Sequence, residues 1–141
     1  MIFGLFRRRT PPQVIATYTA IVAQARQPHF YASLDVPDTF DGRFELVILH
    51  AILVLERLQE RIGDRTAFSL GSFSICFSRT WTVPCAEMGV GDVTVPKKVK
   101  KMAEAFYGRA AVYSQALDDG AQTLAQTVER NLFADDPRPA A

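Results

Sequence analysis

Apolar side chains recur at steps of three and four residues along most of the chain, which is the spacing of one face of an α-helix. The first such stretch lies between Thr10 and Arg26. Its apolar positions are Val14, Ile15, Tyr18, Ile21, Val22 and Ala25. Pro11 and Pro12 suit the first turn, where a missing N–H costs nothing, and Pro28 stops the helix. We therefore predict an amphipathic helix here, followed by an aromatic step into a loop.

The second predicted helix is apolar on most of its circumference. It begins at position 42 or 43 and ends at Ile62, with Gly63 as a C-terminal stop. Its apolar positions are Phe44, Leu46, Val47, Ile48, Leu49, Ala51, Leu53, Leu55 and Leu58. A helix of this kind has to be covered on more than one side, so we expect it to be the most buried element. Asp38 or Asp41 can cap its start.

The segment around residues 68–86 breaks the helical pattern. It is rich in serine and threonine and contains Pro84, which the interior of a helix disfavours. Between Phe73 and Val83, large apolar residues alternate with polar ones. Taken alone, this alternation predicts a short strand, although hardly any other segment offers a strand to pair with it.

A glycine turn and a long helix follow this atypical segment. Gly89 and Gly91 reach positive φ at little cost, and Asp92 is also typical of turns. Thr94 can cap the helix, and Pro96 suits its first turn. The apolar positions of the helix are Val99, Met102, Phe106, Ala110, Tyr113 and Leu117.

Four lysines lie in the first turn and a half of this long helix. They are Lys97, Lys98, Lys100 and Lys101. The N-terminal end of a helix is already positive and prefers acidic side chains, so this placement opposes local stability. Two interpretations remain open: a solvated lysine face, or a docking face for an acidic group such as a phosphate or a carboxylate-rich partner.

The length and composition place these elements in one unit. The 141 residues, 48% of them hydrophobic and 22% charged, fit one domain with a core. After a turn at residues 118–120, apolar spacing indicates a short last helix that ends near Leu132. We predict an all-α fold, a single compact domain of about four to five helices. The domain spans residues 11–133, between a basic arm at 1–10 and a disordered tail at 134–141.

Charge, hydropathy and cysteine content narrow the function classes. The formal charge of +1 does not support nucleic-acid binding through a general basic field. The longest apolar run, from Phe44 to Leu55, is far shorter than the roughly 20 residues that a membrane span needs. Cys76 and Cys85 lack metal-ligand spacing and indicate a reducing compartment. The basic arm is equally compatible with a weak membrane-surface contact and with a frayed terminus.

The sequence offers little catalytic chemistry. His50 lies among apolar residues, and a hydrogen-bonded core histidine accounts for it better than a catalytic base. His29 and His50 are too few and too far apart for a metal site, and the GVGD turn lacks the lysine and serine of a phosphate-binding loop. For Arg43 and Arg109 an ion pair is favoured over direct contact with a partner. The expected carboxylates are Asp38, Asp41 and Asp92. We predict a protein that is not an enzyme and has no cofactor.

Three stretches of the chain form a specific combination: QARQPHFY from Gln24, VPDTFDGRFELVILH from Val36 and EMGVGDVTVPKKVKKMAEAFYGR from Glu87. Together they resemble the ubiquinol–cytochrome c chaperone family, the assembly factors of the cytochrome bc1 complex in mitochondria and alphaproteobacteria. The resemblance implies an all-helical, non-catalytic protein that binds newly made cytochrome b and supports its insertion and haem loading. The implied partners are cytochrome b or another bc1 subunit, the ribosome and a small companion subunit. The implied location is the cytoplasmic side of the bacterial inner membrane, soluble or peripheral, or the matrix side in mitochondria.

The candidate partner-binding residues come from these stretches. They are Arg26, Phe30, Tyr31, Asp38, Arg43, His50, Glu87, Gly89, Gly91, Asp92, Lys97, Lys98, Lys101, Tyr107 and Arg109. The aromatic residues exceed what a small helical core needs, and aromatics beside arginine suit recognition of a partner, although we expect Phe106 to point inward. A groove between helices would suit an apolar helix of cytochrome b. The alternative is a membrane-surface adaptor that binds anionic lipid through Arg7–Arg9 and Lys97–Lys101.

One segment departs from the pattern of the family. The family has an acidic, helical stretch resembling LFDxxFxDMDxxLREMGVGD where this chain has SFSICFSRTWTVPCAEMGVGD. Codons can be written for Phe73–Ala86 that, read one base out of register, encode FDLFFADMDRALR. This shifted reading matches the family. We therefore hypothesise two compensating frameshifts or sequencing errors, one near residues 67–73 and one near Ala86, which the nucleotide sequence of the gene tests.

Overall fold

The structure, a computed structural model, describes residues 10–62, 69–87 and 95–133. Within these ranges the chain forms helices and no strands. In chain order the helices are α1 (Pro12–Ala25), α2 (Pro28–Ala32), α3 (Phe40–Ile62), α4 (Leu70–Glu87), α5 (Val95–Asp119) and α6 (Ala121–Leu132). The predicted all-α single domain is confirmed. The glycine turn that precedes α5, residues 1–9 of the basic arm and the tail at 134–141 lie outside the described residues.

Helix α3 occupies the centre of the fold. It contacts α1, α5 and α6, while α4 packs against α5 and α1. Its largest fully buried side chains are Leu46, Val47, Ile48 and Ile52. Leu53, by contrast, is exposed, so the helix is covered on several sides but not all round. The helix is therefore central and largely buried, as the breadth of its apolar face predicts.

The start of α3 depends on a threonine cap and on a glycine that no other residue can replace without rearrangement. The backbone N–H of Gly42 donates to the Thr39 hydroxyl at 3.1 Å. The predicted Asp38 or Asp41 caps are therefore wrong, because Thr39 is the residue that immediately precedes the helix. A Cβ added to Gly42 would lie 2.0 Å from the carbonyl oxygen of Pro37. The chain must therefore have glycine here to turn tightly into α3.

The predicted strand between Phe73 and Val83 is wrong, since the segment is part of α4. Phe73, Cys76 and Phe77 are buried at helical steps of three and one. Ile75, which a strand would place on the same face as Phe73, is 47% exposed, whereas Ser74 is only 7% exposed. Burial of the two phenylalanines therefore decides the local structure against the serine-rich composition.

Aromatic rings join α4 to three other helices. The ring of Phe77 lies 5.2 Å from that of Phe44 on α3 and 5.1 Å from that of Phe106 on α5. The ring of Phe73 meets that of Tyr18 on α1 edge-on at 6.0 Å. Phe106 is fully buried, as predicted. Ring pairs of this geometry add to the free energy gained by burial, so α4 is held mainly by its phenylalanines.

Two turns differ in detail from the sequence-based expectation. Residues 28–32 form the short helix α2 instead of a loop, because Gln27 is extended and Pro28 can then begin a new helix. At the other end of the chain, α5 continues through Asp119, and Gly120 alone makes the turn into α6. Its φ of 110° lies in the region that favours glycine.

Candidate functional site

Four of the predicted site residues line one open pocket. Arg26 follows α1, Tyr31 belongs to α2, Asp38 precedes α3 and Arg43 lies in the first turn of α3. Together with Pro28 and Ala32 they surround a volume of about 730 Å³. We call this the basic pocket. It forms because α1 ends and α3 begins on the same side of the fold, with α2 between them.

The basic pocket holds two guanidinium groups and one carboxylate. Arg43 Nε donates to Asp38 Oδ1 at 2.7 Å, and both side chains are more than half exposed. This hydrogen bond holds the pKa of Asp38 below its usual value and raises the pKa of Arg43. Arg26 makes no ion pair with any residue in the described ranges. The pocket therefore carries an excess of one positive charge.

Tyr31 is a fixed wall of the basic pocket. Its hydroxyl donates to the carbonyl oxygen of Ala25 at 3.0 Å, which ties α2 to the end of α1. Burial raises the pKa of the Tyr31 hydroxyl, and the carboxylate of Asp38 acts in the same direction. The phenol therefore stays neutral at physiological pH, and the ring contributes apolar surface beside the two arginines.

Phe30 on α2 packs against His50 on α3, and neither residue lines the basic pocket. Their rings meet edge-on with centroids 5.1 Å apart. His50 Nδ1 lies 2.8 Å from the carbonyl oxygen of Leu46, and since a carbonyl only accepts, Nδ1 carries the proton. This arrangement matches the structural interpretation of His50. No group of three or more metal-binding side chains occurs in the part of the chain that the structure describes.

Arg109 is engaged within the fold. Its Nε lies 2.9 and 3.0 Å from the two carboxylate oxygens of Glu45, and its Nη2 lies 2.8 Å from Oε1. The hydrogen bond with Glu45 raises the pKa of Arg109. Arg109 thus pairs with Glu45 and not with Asp38 or Asp41, while Asp92 lies outside the described residues; Arg43 does pair with Asp38 as expected. Arg109 connects α5 to α3 and lies outside the basic pocket.

The lysines at the start of α5 lie close to the start of α3. Lys97 and Lys101 are exposed. The Nζ of Lys98 lies 5.3 Å from the centroid of the Phe40 ring, within the range of a cation–π contact. Phe40 is the first residue of α3 and lies between Asp38 and Arg43 in the chain. This contact therefore places Lys98 beside the first residue of α3.

Tyr107 lies outside this cluster, among the residues that line neither the basic pocket nor its rim. The exposed ring of Tyr107 packs edge-on against Phe106, and its hydroxyl faces Gly71 on α4. Glu87 is the last residue of α4. Gly89, Gly91 and Asp92 lie outside the described residues, as do Arg7–Arg9. The expected surplus of surface aromatics reduces to Tyr107 and the partly buried Tyr31, because Phe30 and Phe106 pack into the core.

Sequence reasoning missed an uncharged surface on α1. Ile15, Thr19 and Ala23 are exposed and follow one another at steps of four, so they share a face that leads to Arg26. Ile15 is 44% exposed. We call these three residues the α1 face. The signal was present in the sequence, since none of the 16 residues from 10 to 25 is charged.

None of the helices in the described ranges is long and apolar enough to cross a membrane.

Burial raises the pKa of the Cys76 thiol, which disfavours the reactive thiolate. Tyr31, Asp38 and His50 are each held in a hydrogen bond within the fold.

Comparisons with known proteins agree with this picture. A family model described as ubiquinol-cytochrome C chaperone matches residues 32–141. Ubiquinol-cytochrome-c reductase complex assembly factor 1 of Xenopus laevis is 27% identical over 127 residues, a match that covers 86% of this chain. The chain spans 62% of the length of that relative. The crystal structure of the Cbp3 homolog from Brucella abortus is 39% identical with a TM-score of 0.73, covering 98% of this chain and 78% of that one. The chain therefore belongs to the ubiquinol–cytochrome c chaperone family.

Proposed function

We propose that this protein is a non-catalytic assembly chaperone of the cytochrome bc1 complex and that it binds newly made cytochrome b. The observation that carries the proposal is the family match over residues 32–141, together with a fold shared with the Brucella abortus protein. The Xenopus laevis relative is named as an assembly factor of ubiquinol-cytochrome-c reductase. The role in binding cytochrome b, and in supporting its insertion and maturation, is our extension of that family description.

The surface supports a binding role. The basic pocket and the neighbouring lysines offer positive charge, while the α1 face offers an exposed surface without charge. A new membrane-protein segment presents both apolar stretches and charged ends, so this combination suits such a client. His50 and Arg109, the residues with most catalytic potential, each have a partner within the fold. The protein would act on the cytoplasmic or matrix side of the membrane, with the ribosome or a small companion subunit as further partners.

Deletion of the gene tests the proposal directly. We expect the deletion strain to lose bc1 activity and assembled cytochrome b, while transcription of the cytochrome b gene continues. Reintroduction of the wild-type chain should restore both. Normal bc1 levels in the deletion strain would refute the proposed function.

The lysines provide a second test through charge reversal. Lys97, Lys98 and Lys101 changed together to Glu should reduce co-purification with tagged cytochrome b, because complementary charge at this end of the fold is lost. Helicity should persist, since acidic residues suit the first turns of α5. The matched control reverses the same number of charges at other exposed positions, Arg57, Arg61 and Arg79. Equal loss in both variants would show that net charge, and not this surface, governs binding.

The exposed lysines also support the alternative function, a membrane-surface adaptor that binds anionic lipid. Sedimentation with liposomes separates the two. The adaptor requires binding to anionic vesicles without any client, and that binding should weaken steeply as salt is raised. A chaperone that relies on its client for membrane contact should remain in the supernatant.

A further inference from the structure

We infer that the basic pocket receives an acidic side chain of a partner polypeptide, and that the uncharged residues next to that side chain lie along the α1 face. This inference deepens the proposed function, since it assigns a chemistry to the client segment and rests on the protein having such a client. Three features of the molecule support it: the charge of the pocket, the weakness of its internal ion pair, and its continuity with α1.

The pocket has unused donors for a carboxylate. Arg43 Nε donates to Asp38, and neither the terminal nitrogens of Arg43 nor the side-chain nitrogens of Arg26 have a hydrogen-bond partner in the described ranges. A carboxylate has two oxygens and accepts well from two guanidinium groups. Since the pocket holds an excess of one positive charge, one added carboxylate neutralises it. A doubly charged phosphate would instead leave the pocket with a net negative charge.

Asp38 acts as an internal competitor for Arg43. The two side chains are 59% and 53% exposed, and ion pairs that are so exposed contribute little to stability because water screens them. An incoming carboxylate can therefore displace Asp38 from Arg43 at small cost. The ring of Tyr31, with Pro28 and Ala32, then provides an apolar wall for the neighbouring residue of the partner.

The α1 face points to a polypeptide and not to a lipid surface. Ile15, Thr19, Ala23 and Arg26 follow one line along the helix, over a length of about 16 Å at 1.5 Å per residue. That length matches about five extended residues of a bound segment. Because the α1 face carries no charge, an anionic membrane would not attract it electrostatically. An uncharged peptide segment that ends in an acidic residue complements both the α1 face and the basic pocket.

Fluorescence anisotropy with short labelled peptides tests the inference on the purified chain. The probe is a soluble peptide of Ala, Leu and Ser that ends in Phe-Glu-amide, and its matched control ends in Phe-Gln-amide. We expect the Glu peptide to bind about tenfold more tightly, with a preference that decreases as salt rises. Arg26→Gln should abolish this preference and leave the weak binding of the Gln peptide unchanged.

Two further variants make the test specific. Asp38→Asn should increase the affinity for the Glu peptide by up to about fivefold, because the carboxylate that competes for Arg43 is gone. Arg57→Gln removes an arginine from the exposed Arg57–Glu60 pair on α3, away from the pocket, and should change nothing. Ile15→Ser should weaken binding of both peptides equally, since it alters the α1 face and leaves the charge of the basic pocket unchanged. Far-UV circular dichroism should show unchanged helicity in each variant.

Several results would overturn the inference. Equal affinity for the Glu and Gln peptides would show that the pocket does not recognise a carboxylate. Weaker binding of the Glu peptide by Asp38→Asn would show that Asp38 assists binding and does not compete for Arg43. If inorganic phosphate or anionic vesicles displace the labelled Glu peptide at a lower concentration than unlabelled Glu peptide does, the pocket binds phosphate or lipid instead. If Arg26→Gln fully restores bc1 assembly in the deletion strain, the inference fails while the proposed function stands. If the Glu preference is found but the deletion strain has normal bc1, the proposed function fails alone.

Discussion

Loss of Arg109 should destabilise the fold more than loss of Glu45, although both changes break the same ion pair. The Glu45 side chain on α3 is 10% exposed, whereas that of Arg109 on α5 is 37% exposed. Without the arginine, the carboxylate stays in a place that water hardly reaches. Without the glutamate, the guanidinium can turn towards solvent and keep most of its hydration.

The expected magnitudes follow from this difference in burial. Removing the partner of a buried charge costs about 3–5 kcal/mol. The pair borders a cavity of about 500 Å³ that lets water approach, so we expect the lower figure, about 3 kcal/mol, for Arg109→Met. Glu45→Leu should cost about 1 kcal/mol, because lost charged hydrogen bonds are partly offset by apolar burial. The double variant should cost about 1 kcal/mol, since an apolar pair replaces the ions without leaving a charge behind.

Urea unfolding followed by far-UV circular dichroism measures these differences, with equal m-values as the sign that the unfolded states are comparable. Arg57→Met is the matched control, because the Arg57–Glu60 pair is exposed on both sides and should contribute less than about 0.5 kcal/mol. The reasoning fails if Glu45→Leu is the more harmful change. It also fails if the double variant loses the sum of the two single effects, which would mean that the two residues are not coupled.

Three other predictions follow from burial. Gly42→Ala should cost about 3 kcal/mol, because its Cβ would lie 2.0 Å from a backbone carbonyl oxygen, whereas Gly108→Ala, with free space around it, should stabilise α5 by up to about 1 kcal/mol. Burial raises the pKa of Tyr18 to about 12, so the unfolded chain loses this proton from pH 10 while the native chain keeps it. Through Tyr18, stability should therefore fall by about 1.4 kcal/mol per pH unit between pH 10 and 12. Tyr18→Phe should reduce the slope of stability against pH by that amount and leave the contribution of Tyr113, whose pKa is also raised by burial. In α4, Ile75→Asp should change stability by less than about 0.5 kcal/mol and Ser74→Asp should cost at least about 2 kcal/mol, as thermal unfolding can show.

The periodicity of apolar residues predicted the long helices well. The central helix α3 and the long helix α5 carry apolar positions at helical spacing over more than five turns each, so their faces follow from the sequence. The same periodicity predicts that Phe106 points inward, and it is fully buried. The four to five expected helices became six because Pro28 both ends one helix and begins another.

The contacts of the candidate site could not be predicted in the same way. Glu45 and Arg109 are 64 residues apart in the chain, and nothing in local spacing selects Glu45 over the nearer-seeming aspartates. The basic pocket joins Arg26 to Arg43 through the packing of α1 against α3. A resemblance to a family named these residues, but only the fold shows that they share one pocket and that Arg109 does not.

Helix α4 shows packing overriding a composition that opposes a helix. Phe73 and Phe77 are fully buried, yet Ser74 is buried beside them and Ile75 faces solvent, which is the reverse of what each side chain favours. Counted back from Glu87, the shifted reading places phenylalanine at position 74 and aspartate at 75, and it retains phenylalanine at 77. It also removes Pro84 from the helix, where proline costs about 3 kcal/mol. The shifted sequence therefore places apolar and polar residues on α4 where the fold buries and exposes them, more consistently than the actual sequence does. This supports the hypothesis of two compensating frameshifts. Codons in the gene that cannot be re-registered in this way would refute that hypothesis.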